Sequence, residues 1–284
     1  MFALHAILPL SGPWISWGRI AALGAVQGLT EFLPVSSSGH LVLFEHLLGV
    51  HRPGLALETG LHLGTLAAVL WEFRSDLRAA VGGLVDALRR RPGPQPGAGL
   101  LGWLVAASLP AAAVGLLAGG LAERLFGSLP ATAGAWCLSG LMLMAAGRIP
   151  PGRRTLERLR LGDALWIGAA QALALAPGVS RSGATIAAGI ARGLAPAEAT
   201  RFAFLLSLPA VGGAALLHGG RLLAAAGEGG AIWVGAGVAG ATGLFAIRAC
   251  AARVRAGGLG SFGCYCLALG VLVLLRGALT GEWR

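Results

Sequence analysis

The chain has 284 residues, of which 56% are hydrophobic and 12% charged, and its mean hydropathy is +0.75. Soluble domains carry roughly 25% charged residues, so this composition excludes a soluble globular domain and indicates an integral membrane protein. The net charge of +10 comes from arginines, since the chain has no lysine, and in a membrane protein such residues set the topology of the loops. Nucleic-acid binding is therefore not expected. The four cysteines lie in apolar runs without zinc-ligand spacing and are expected to be buried small hydrophobic residues.

The first polar interruption of the apolar pattern lies near residue 36. Residues 1–20 predict an interfacial segment without the basic start of a removable signal peptide. From residue 20 to 48 a helical pattern is broken by Pro34 and the serines that follow it, and each arm is shorter than the about 20 apolar residues that a membrane crossing needs. The pair therefore predicts a re-entrant helix–loop–helix, whose irregular backbone is tolerated where it lines a cavity.

Six spanning helices are predicted besides two such broken pairs. Three of them follow the first pair, and three follow a second pair over 164–191, which is interrupted at Pro177-Gly178. A polar loop is expected over 74–99 and a basic loop over 148–160. The predicted spans are 55–73, 100–121, 129–146, 203–218, 231–247 and 259–275.

The arginines lie mostly on one side of this predicted topology. If 74–99 is cytoplasmic, fifteen arginines lie inside and six outside, with Arg181 at membrane depth, which is a strong positive-inside bias. The first pair then enters from outside and the second from inside, so that 1–147 and 148–284 form an inverted-topology repeat within one structural domain. The expected fold class is an all-α integral membrane protein in which each half has one re-entrant helix–loop–helix and three transmembrane helices.

The two broken pairs carry similar polar motifs. Residues 27–40 are Q-G-L-T-E-F-L-P-V-S-S-S-G-H, and residues 171–185 are Q-A-L-A-L-A-P-G-V-S-R-S-G-A-T. A shift of 144 positions aligns the two stretches and places Ser37 on Arg181. Polar clusters at bilayer depth are costly, which makes both motifs candidate functional sites.

The second motif predicts a binding site for an oxyanion. The guanidinium of Arg181 presents planar donors that match phosphate, and Gly178 and Gly183 allow backbone amides to approach an anion closely. The alternative is that Arg181 is a structural partner of Glu31 or of a helix C-terminus. The other phosphate-binding candidates are Ser180, Ser182, Ser36, Ser38 and Thr185; serines before a helix also act as caps, and a threonine within a helix often bonds to its own backbone.

The first motif supplies the groups for catalysis. Ser37 is the hydroxyl placed to attack a phosphorus atom held by Arg181, and His40, three residues later, can act as acid or base near neutral pH. The alternative for His40 is a satisfied core residue. Gln27 and Glu31 are four residues apart and share a helical face, so they could hold a hard cation such as Mg²⁺ or Ca²⁺. Two ligands do not define a metal site by spacing, and Glu31 could instead orient His40 or Arg181.

One further polar pair, Glu58 and His62, lies near the outer start of a predicted span. We interpret both side chains as interfacial polar residues and leave them outside the site.

The motifs G-L-T-E-F-L-P-V-S-S-S-G-H and P-G-V-S-R-S-G-A-T resemble the two signatures of the undecaprenyl-diphosphate phosphatase family, whose members confer bacitracin resistance. The similarity extends over nearly the whole hydrophobic layout. It implies hydrolysis of undecaprenyl diphosphate to the monophosphate, which recycles the lipid carrier for peptidoglycan synthesis. It also implies a bacterial inner-membrane location, a divalent-cation requirement and an active site that opens to the periplasm.

Residue by residue, the resemblance places the essential serine on Ser37, the histidine on His40 and the phosphate-binding arginine on Arg181. The acidic motif falls on Gln27 and Glu31, and because the first of these positions is often glutamate in the family, Gln27 weakens a two-carboxylate metal site. The expected mechanism has Ser37 as nucleophile and His40 as acid and base. A metal-activated water, with Ser37 only positioning the phosphate, is the alternative.

A different class of function shares this architecture. Inverted repeats with re-entrant pairs also build transporters, so a lipid-phosphate flippase or an anion transporter is the second hypothesis. A hydroxyl beside an imidazole favours the enzyme, because anion binding alone does not need an acid or base. The expected partners are a polyprenyl diphosphate and membrane lipids, and the sequence leaves open whether the chain forms a homodimer.

Overall fold

The structure, a computed structural model, describes residues 13–48, 54–89, 97–126, 128–226 and 230–280. These residues are helical apart from turns, short loops and one isolated bridge between Arg154 and Leu194. The predicted all-α class is therefore confirmed for the described part of the chain. The first residues of the predicted interfacial segment, up to 12, lie outside the described residues.

The helices follow one another with short connections. In chain order they are α1 (Pro13–Phe32), α2 (Ser37–Leu48), α3 (Gly54–Glu72), α4 (Arg74–Leu88), α5 (Ala98–Phe126), α6 (Leu129–Ala146), a 3-10 turn (Leu156–Arg158), α7 (Leu161–Leu173), α8 (Arg181–Ala191), α9 (Pro196–Leu205), α10 (Ser207–Ala226), α11 (Ala231–Arg255) and α12 (Leu259–Thr280).

Within the described ranges, five helical segments are long and apolar enough, by length and composition, to cross a membrane. They are Gly99–Leu117, Leu129–Ala146, Pro196–Leu216, Ala231–Arg255 and Leu259–Thr280. The first predicted span, 55–73, forms the helix α3 but is not among these five. The protein is thus a multi-pass helical membrane protein.

The predicted polar loop over 74–99 is wrong in its first part. Residues Arg74–Leu88 form α4, which buries Ala80 and Gly83 against neighbouring helices and carries Asp76 in its first turn. An acidic residue there interacts favourably with the helix dipole, and arginine, leucine and alanine are good helix formers. The arginines indicated a loop because they are charged, yet Arg74 and Arg78 are exposed residues of an amphipathic helix.

The first broken pair is interrupted at residues 33–36, as predicted. Its second helix begins at Ser37, three residues before the predicted start at His40. Ser36 has a φ of 71°, and its Oγ accepts a hydrogen bond from the backbone N–H of Gly39 at 3.4 Å. Ser36 therefore caps α2, because a side-chain oxygen at this position satisfies a free amide of the first helical turn.

The second pair repeats this arrangement 144 positions later. It is interrupted over residues 174–180, which contain the predicted break at Pro177-Gly178. Ser180 caps α8 by accepting from the N–H of Gly183 at 3.1 Å. The capping serines thus place Ser37 and Arg181 at matching positions, each as the first residue of a helix.

Side chains of α6 satisfy backbone groups in both breaks. Trp136 donates from Nε1 to the carbonyl of Val35 at 3.0 Å, and Ser139 donates from Oγ to the carbonyl of Gly178 at 3.3 Å. Unpaired backbone groups at this depth are costly. The breaks are therefore supported by a specific neighbouring helix, which holds them in fixed positions.

Segments predicted to share one side of the membrane lie together in the structure. Arg248 of α11 forms a salt bridge with Glu72 at 2.8 Å, and Arg201 of α9 pairs with Asp76 of α4. Asp163, which is buried, accepts from Arg154 at 2.6 Å and from Arg192 at 2.7 Å. These pairs connect the ends of helices that the arginine pattern assigned to one face.

Candidate active site

The buried carboxylate of Glu31 lies at the centre of the candidate site. Its Oε2 accepts hydrogen bonds from Ser37 Oγ at 2.6 Å and from Gln27 Nε2 at 3.0 Å. Its Oε1 accepts from Arg181 Nη2 across the two broken pairs. The structure thus brings three of the other predicted site residues together around the carboxylate of Glu31.

The ion pair between Glu31 and Arg181 agrees with the structural alternative for the arginine, but it does not use all of the guanidinium. Nη1 of Arg181 is buried and has no hydrogen-bond partner among the described residues. Guanidinium donors pair readily with phosphate or carboxylate, so Arg181 keeps donor capacity beyond its pair with Glu31. Its contact with a phosphate stays a prediction.

Ser37 and Arg181 each stand at the start of a helix. Each is the first residue of its helix, α2 and α8 respectively. The first amides of a helix have no intrahelical partner and carry partial positive charge, so each helix start favours an anion nearby. The side chains of these two residues are the groups that contact Glu31.

His40 is buried and faces away from Ser37 in its hydrogen bonding. Its Nδ1 lies 2.7 Å from the carbonyl oxygen of Ser36, and its Nε2 lies 2.8 Å from the hydroxyl of Tyr265. Because a carbonyl only accepts, Nδ1 carries the proton and Nε2 accepts from the tyrosine. The carboxylate in contact with Ser37 is that of Glu31, and the role of His40 as acid and base stays a prediction.

Tyr265, which sequence reasoning missed, completes the surroundings of His40. The two rings are stacked with centroids 5.8 Å apart, and Trp136 packs edge-on against the imidazole at 5.4 Å. Tyr265 is the single tyrosine of the chain. A lone hydroxyl-bearing ring in an apolar span was a signal that could have drawn attention to it.

The predicted phosphate-binding serines make bonds within the protein. Ser36 Oγ lies 3.3 Å from Ser38 Oγ, and Ser180 Oγ lies 3.3 Å from Ser182 Oγ. Ser182 also donates to the carbonyl of Leu33 at 3.2 Å, which joins the second break to the first. These hydroxyls hold the loops, and their contact with a phosphate stays a prediction.

The remaining phosphate-binding candidates are also engaged by the fold. Thr185 donates to the carbonyl of Arg181 at 2.8 Å, which is the backbone bond considered from sequence. A Cβ added at Gly178 would lie 2.4 Å from the carbonyl oxygen of Thr132 on α6, and one at Gly183 would lie 3.1 Å from the Ser180 side chain. Both glycines therefore serve close packing, and their approach to an anion is likewise untested.

His62 on α3, which we left outside the site, lies beside Glu31. Its Nδ1 is 3.0 Å from Gln27 Nε2 and 3.8 Å from Glu31 Oε2. The spacing in the sequence paired His62 with Glu58 on one helix. It gave no indication that His62 would contact Gln27, which lies 35 positions away. The available signal was the imidazole itself, an ionisable residue on an apolar helix.

The arrangement around Glu31 does not fit a divalent cation. Gln27 turns its amide nitrogen towards the carboxylate, and the other groups that contact Glu31 are N–H and O–H donors. Hard cations require several converging oxygen ligands. Among the described residues no group of three or more His, Cys, Asp or Glu could hold a metal ion. We therefore assign no metal-dependent step to these residues.

A buried carboxylate, a hydroxyl and a guanidinium, held by two broken helix pairs, form a polar site in a multi-pass membrane protein. Residues 20–272 match the BacA family, which is described as bacitracin resistance protein BacA. The chain belongs to this family.

Curated relatives of the chain are named undecaprenyl-diphosphatase. The protein of Desulfatibacillum aliphaticivorans is 38% identical over 271 residues, which cover 91% of this chain and 98% of the relative. That of Rubrobacter xylanophilus is 45% identical over 205 residues, or 71% of this chain and 75% of the relative. That of Desulfosudis oleivorans is 45% identical over 205 residues, with 69% and 74% covered.

Proposed function

We propose that this protein is an undecaprenyl-diphosphatase, which hydrolyses undecaprenyl diphosphate to undecaprenyl phosphate and inorganic phosphate. This reaction recycles the lipid carrier for peptidoglycan synthesis and thereby confers bacitracin resistance. The observation that carries the proposal is the contact of one carboxylate, Glu31, with both a hydroxyl, Ser37, and a guanidinium, Arg181. Nucleophile, base and phosphate-binding cation are thus within reach of one reacting group.

The geometry supports a two-step displacement at the terminal phosphorus. Ser37 Oγ forms a bond to phosphorus while its proton passes to Glu31 Oε2, 2.6 Å away, and the bond to the bridging oxygen breaks to release the lipid monophosphate. Water then attacks the phosphoserine and the bond between phosphorus and Ser37 Oγ breaks. Glu31 returns its proton to Ser37 Oγ, and both hydrogens of the water leave with inorganic phosphate, so that Ser37 and the Glu31 carboxylate are regenerated. Arg181 and the N-termini of α2 and α8 stabilise the charge on the equatorial oxygens.

The proposed fold places this site between two inverted halves. Gly24 of α1 and Gly168 of α7 are 144 positions apart, and an added Cβ at either would lie 2.3 Å from a carbonyl oxygen, of Gly235 on α11 or Ala107 on α5 respectively. Equivalent close packing in the two halves supports an inverted-topology repeat. With the arginine-rich face in the cytoplasm, the protein lies in the bacterial inner membrane and the site opens to the periplasm.

A divalent cation remains part of the proposal as a predicted requirement. Since the donors around Glu31 do not form a cation site, the cation we propose is one chelated by phosphate oxygens of the substrate. When bound there, Mg²⁺ or Ca²⁺ neutralises negative charge on the diphosphate.

The experiment that tests the function is phosphate release from a long-chain polyprenyl diphosphate by the purified protein, with and without EDTA. Ser37→Ala and Arg181→Ala are compared with Glu58→Gln, which changes a carboxylate outside the site. We expect release by the wild type and by the Glu58 variant, and losses of about a hundredfold or more in the other two.

Each other outcome has a defined meaning. Activity retained in Ser37→Ala would contradict the serine nucleophile. It would favour the alternative mechanism, in which a water molecule attacks the phosphorus and Ser37 only positions the phosphate. A folded wild type that binds the lipid without releasing phosphate would contradict the hydrolase and favour the flippase or transporter. Full activity in the presence of EDTA would contradict the predicted requirement for a divalent cation.

A further inference from the structure

The hydrogen bonds that connect Glu31, Gln27 and His62 have a fixed direction. A carboxylate only accepts, so the group of Gln27 that faces Glu31 Oε2 at 3.0 Å is its NH₂. The same nitrogen lies 3.0 Å from His62 Nδ1. Because an amide nitrogen donates hydrogen bonds and does not accept them, Nδ1 of His62 must be the acceptor of this one.

The direction of these bonds selects the tautomer of His62. A neutral imidazole whose Nδ1 accepts carries its proton on Nε2. No hydrogen bond from the described residues to Nε2 is seen, and the side chain is 37% exposed. His62 therefore carries an N–H donor that no described residue uses, on a partly exposed ring beside the carboxylate that contacts Ser37 and Arg181.

We propose that His62 is a further substrate-binding residue, which donates its Nε2–H to a phosphate oxygen of the lipid diphosphate. This inference rests on the proposed function, since it names the ligand of the same site. Arg181 and the two helix N-termini bind the terminal phosphate next to Ser37. The imidazole, which lies on α3 to the side of Glu31, binds an oxygen of the same headgroup from a third helix.

Two nearby groups are relevant to this assignment. Glu58 lies one turn before His62 on α3 and interacts with it electrostatically, but no hydrogen bond or salt bridge joins the two side chains among the described residues. Gln27 fixes the imidazole through a neutral amide, and the donor therefore exists without protonation of the ring. This makes the role of His62 one of binding and positioning rather than of proton transfer.

The test compares His62→Leu with His62→Gln. Leucine removes both ring nitrogens, whereas the glutamine amide can accept from Gln27 through Oε1 and donate outward through Nε2. For hydrolysis of polyprenyl diphosphate we expect KM to rise about tenfold or more in His62→Leu, as for loss of a hydrogen bond to a charged group, with a much smaller change in kcat. His62→Gln should recover most of the loss.

A binding measurement separates this inference from the proposed function. Dissociation constants for the polyprenyl diphosphate are measured in the Ser37→Ala protein with and without His62→Leu, so that hydrolysis is not needed. A tenfold weaker Kd in the double variant supports the contact even if the wild type releases no phosphate. An unchanged Kd, or equal losses in the Leu and Gln variants, would overturn the proposal.

Discussion

Replacing Glu31 by glutamine distinguishes a base from a metal ligand. The carboxylate accepts from Ser37 at 2.6 Å and forms an ion pair with Arg181, so it is both the proton acceptor and a competitor for the guanidinium. Glutamine keeps the size of the side chain but loses the charge. We expect turnover to fall while the diphosphate still binds, because Arg181 is released from its internal partner.

The size of the two effects follows from the contacts. General-base catalysis contributes roughly 10²- to 10⁴-fold, which corresponds to about 2.7–5.5 kcal/mol of activation free energy. Removing one partner of a buried ion pair destabilises a protein by about 3–5 kcal/mol, since the other charge is left uncompensated. A bound phosphate should restore much of that stability by replacing the lost charge.

The assay has three parts: steady-state phosphate release, the Kd for the polyprenyl diphosphate, and the midpoint of thermal unfolding with and without that lipid. Glu58→Gln is the control for loss of a carboxylate. The base assignment is refuted if Glu31→Gln keeps more than about a tenth of the turnover. A Kd that becomes much weaker would indicate instead that Glu31 binds the substrate through a cation.

Two further predictions concern the loops that hold the site. Gly178→Ala should cost at least about 1–3 kcal/mol, because Gly178 has a φ of +91° and an added Cβ would lie 2.4 Å from the carbonyl oxygen of Thr132; Gly162→Ala, with no atom within 4 Å of the added Cβ, is the control, and equal thermal stability of both variants would contradict the packing. Asp163→Asn tests the arginine-rich face: burial alone would raise the pKa of Asp163, but hydrogen bonds from Arg154, Arg192 and the Arg160 backbone N–H outweigh burial and lower it from 3.8 to about 2. A carboxylate whose pKa is lower in the folded than in the unfolded protein stabilises the fold at pH values above its unfolded pKa, and this stabilisation is lost as the pH falls towards 2. At pH 6 the wild type should therefore unfold at a higher temperature than the variant, and the difference should shrink below pH 4. A margin independent of pH would exclude the charge of Asp163 as its cause.

The breaks in the two helix pairs could be predicted from sequence because their signals are local. Pro34 and Pro177-Gly178 interrupt a helix, and the break positions follow from them. The facing of Ser37 and Arg181 followed from the repeat of 144 positions. These features depend on backbone geometry over a few residues or on a repeat that can be recognised in the amino-acid sequence.

The partners of His40 and Gln27 could not be predicted, because they come from helices distant in sequence. Tyr265 is 225 positions from His40, and His62 is 35 positions from Gln27. Periodicity tells which face of a helix is polar, but the neighbour of that face is set by packing of the whole bundle. The helix α4 was missed for the opposite reason, since its charge pattern outweighed its helical propensity in our interpretation.

The site also explains why neither half of the chain could carry this chemistry by itself. An ionised carboxylate or guanidinium at bilayer depth is costly unless it is paired. Glu31 comes from the first broken pair and Arg181 from the second, and Ser182 donates across the same junction to the carbonyl of Leu33. Each half thus neutralises the charge that the other half buries, so the docking of the two pairs that stabilises the fold also brings together the three residues that we propose as nucleophile, base and phosphate-binding cation.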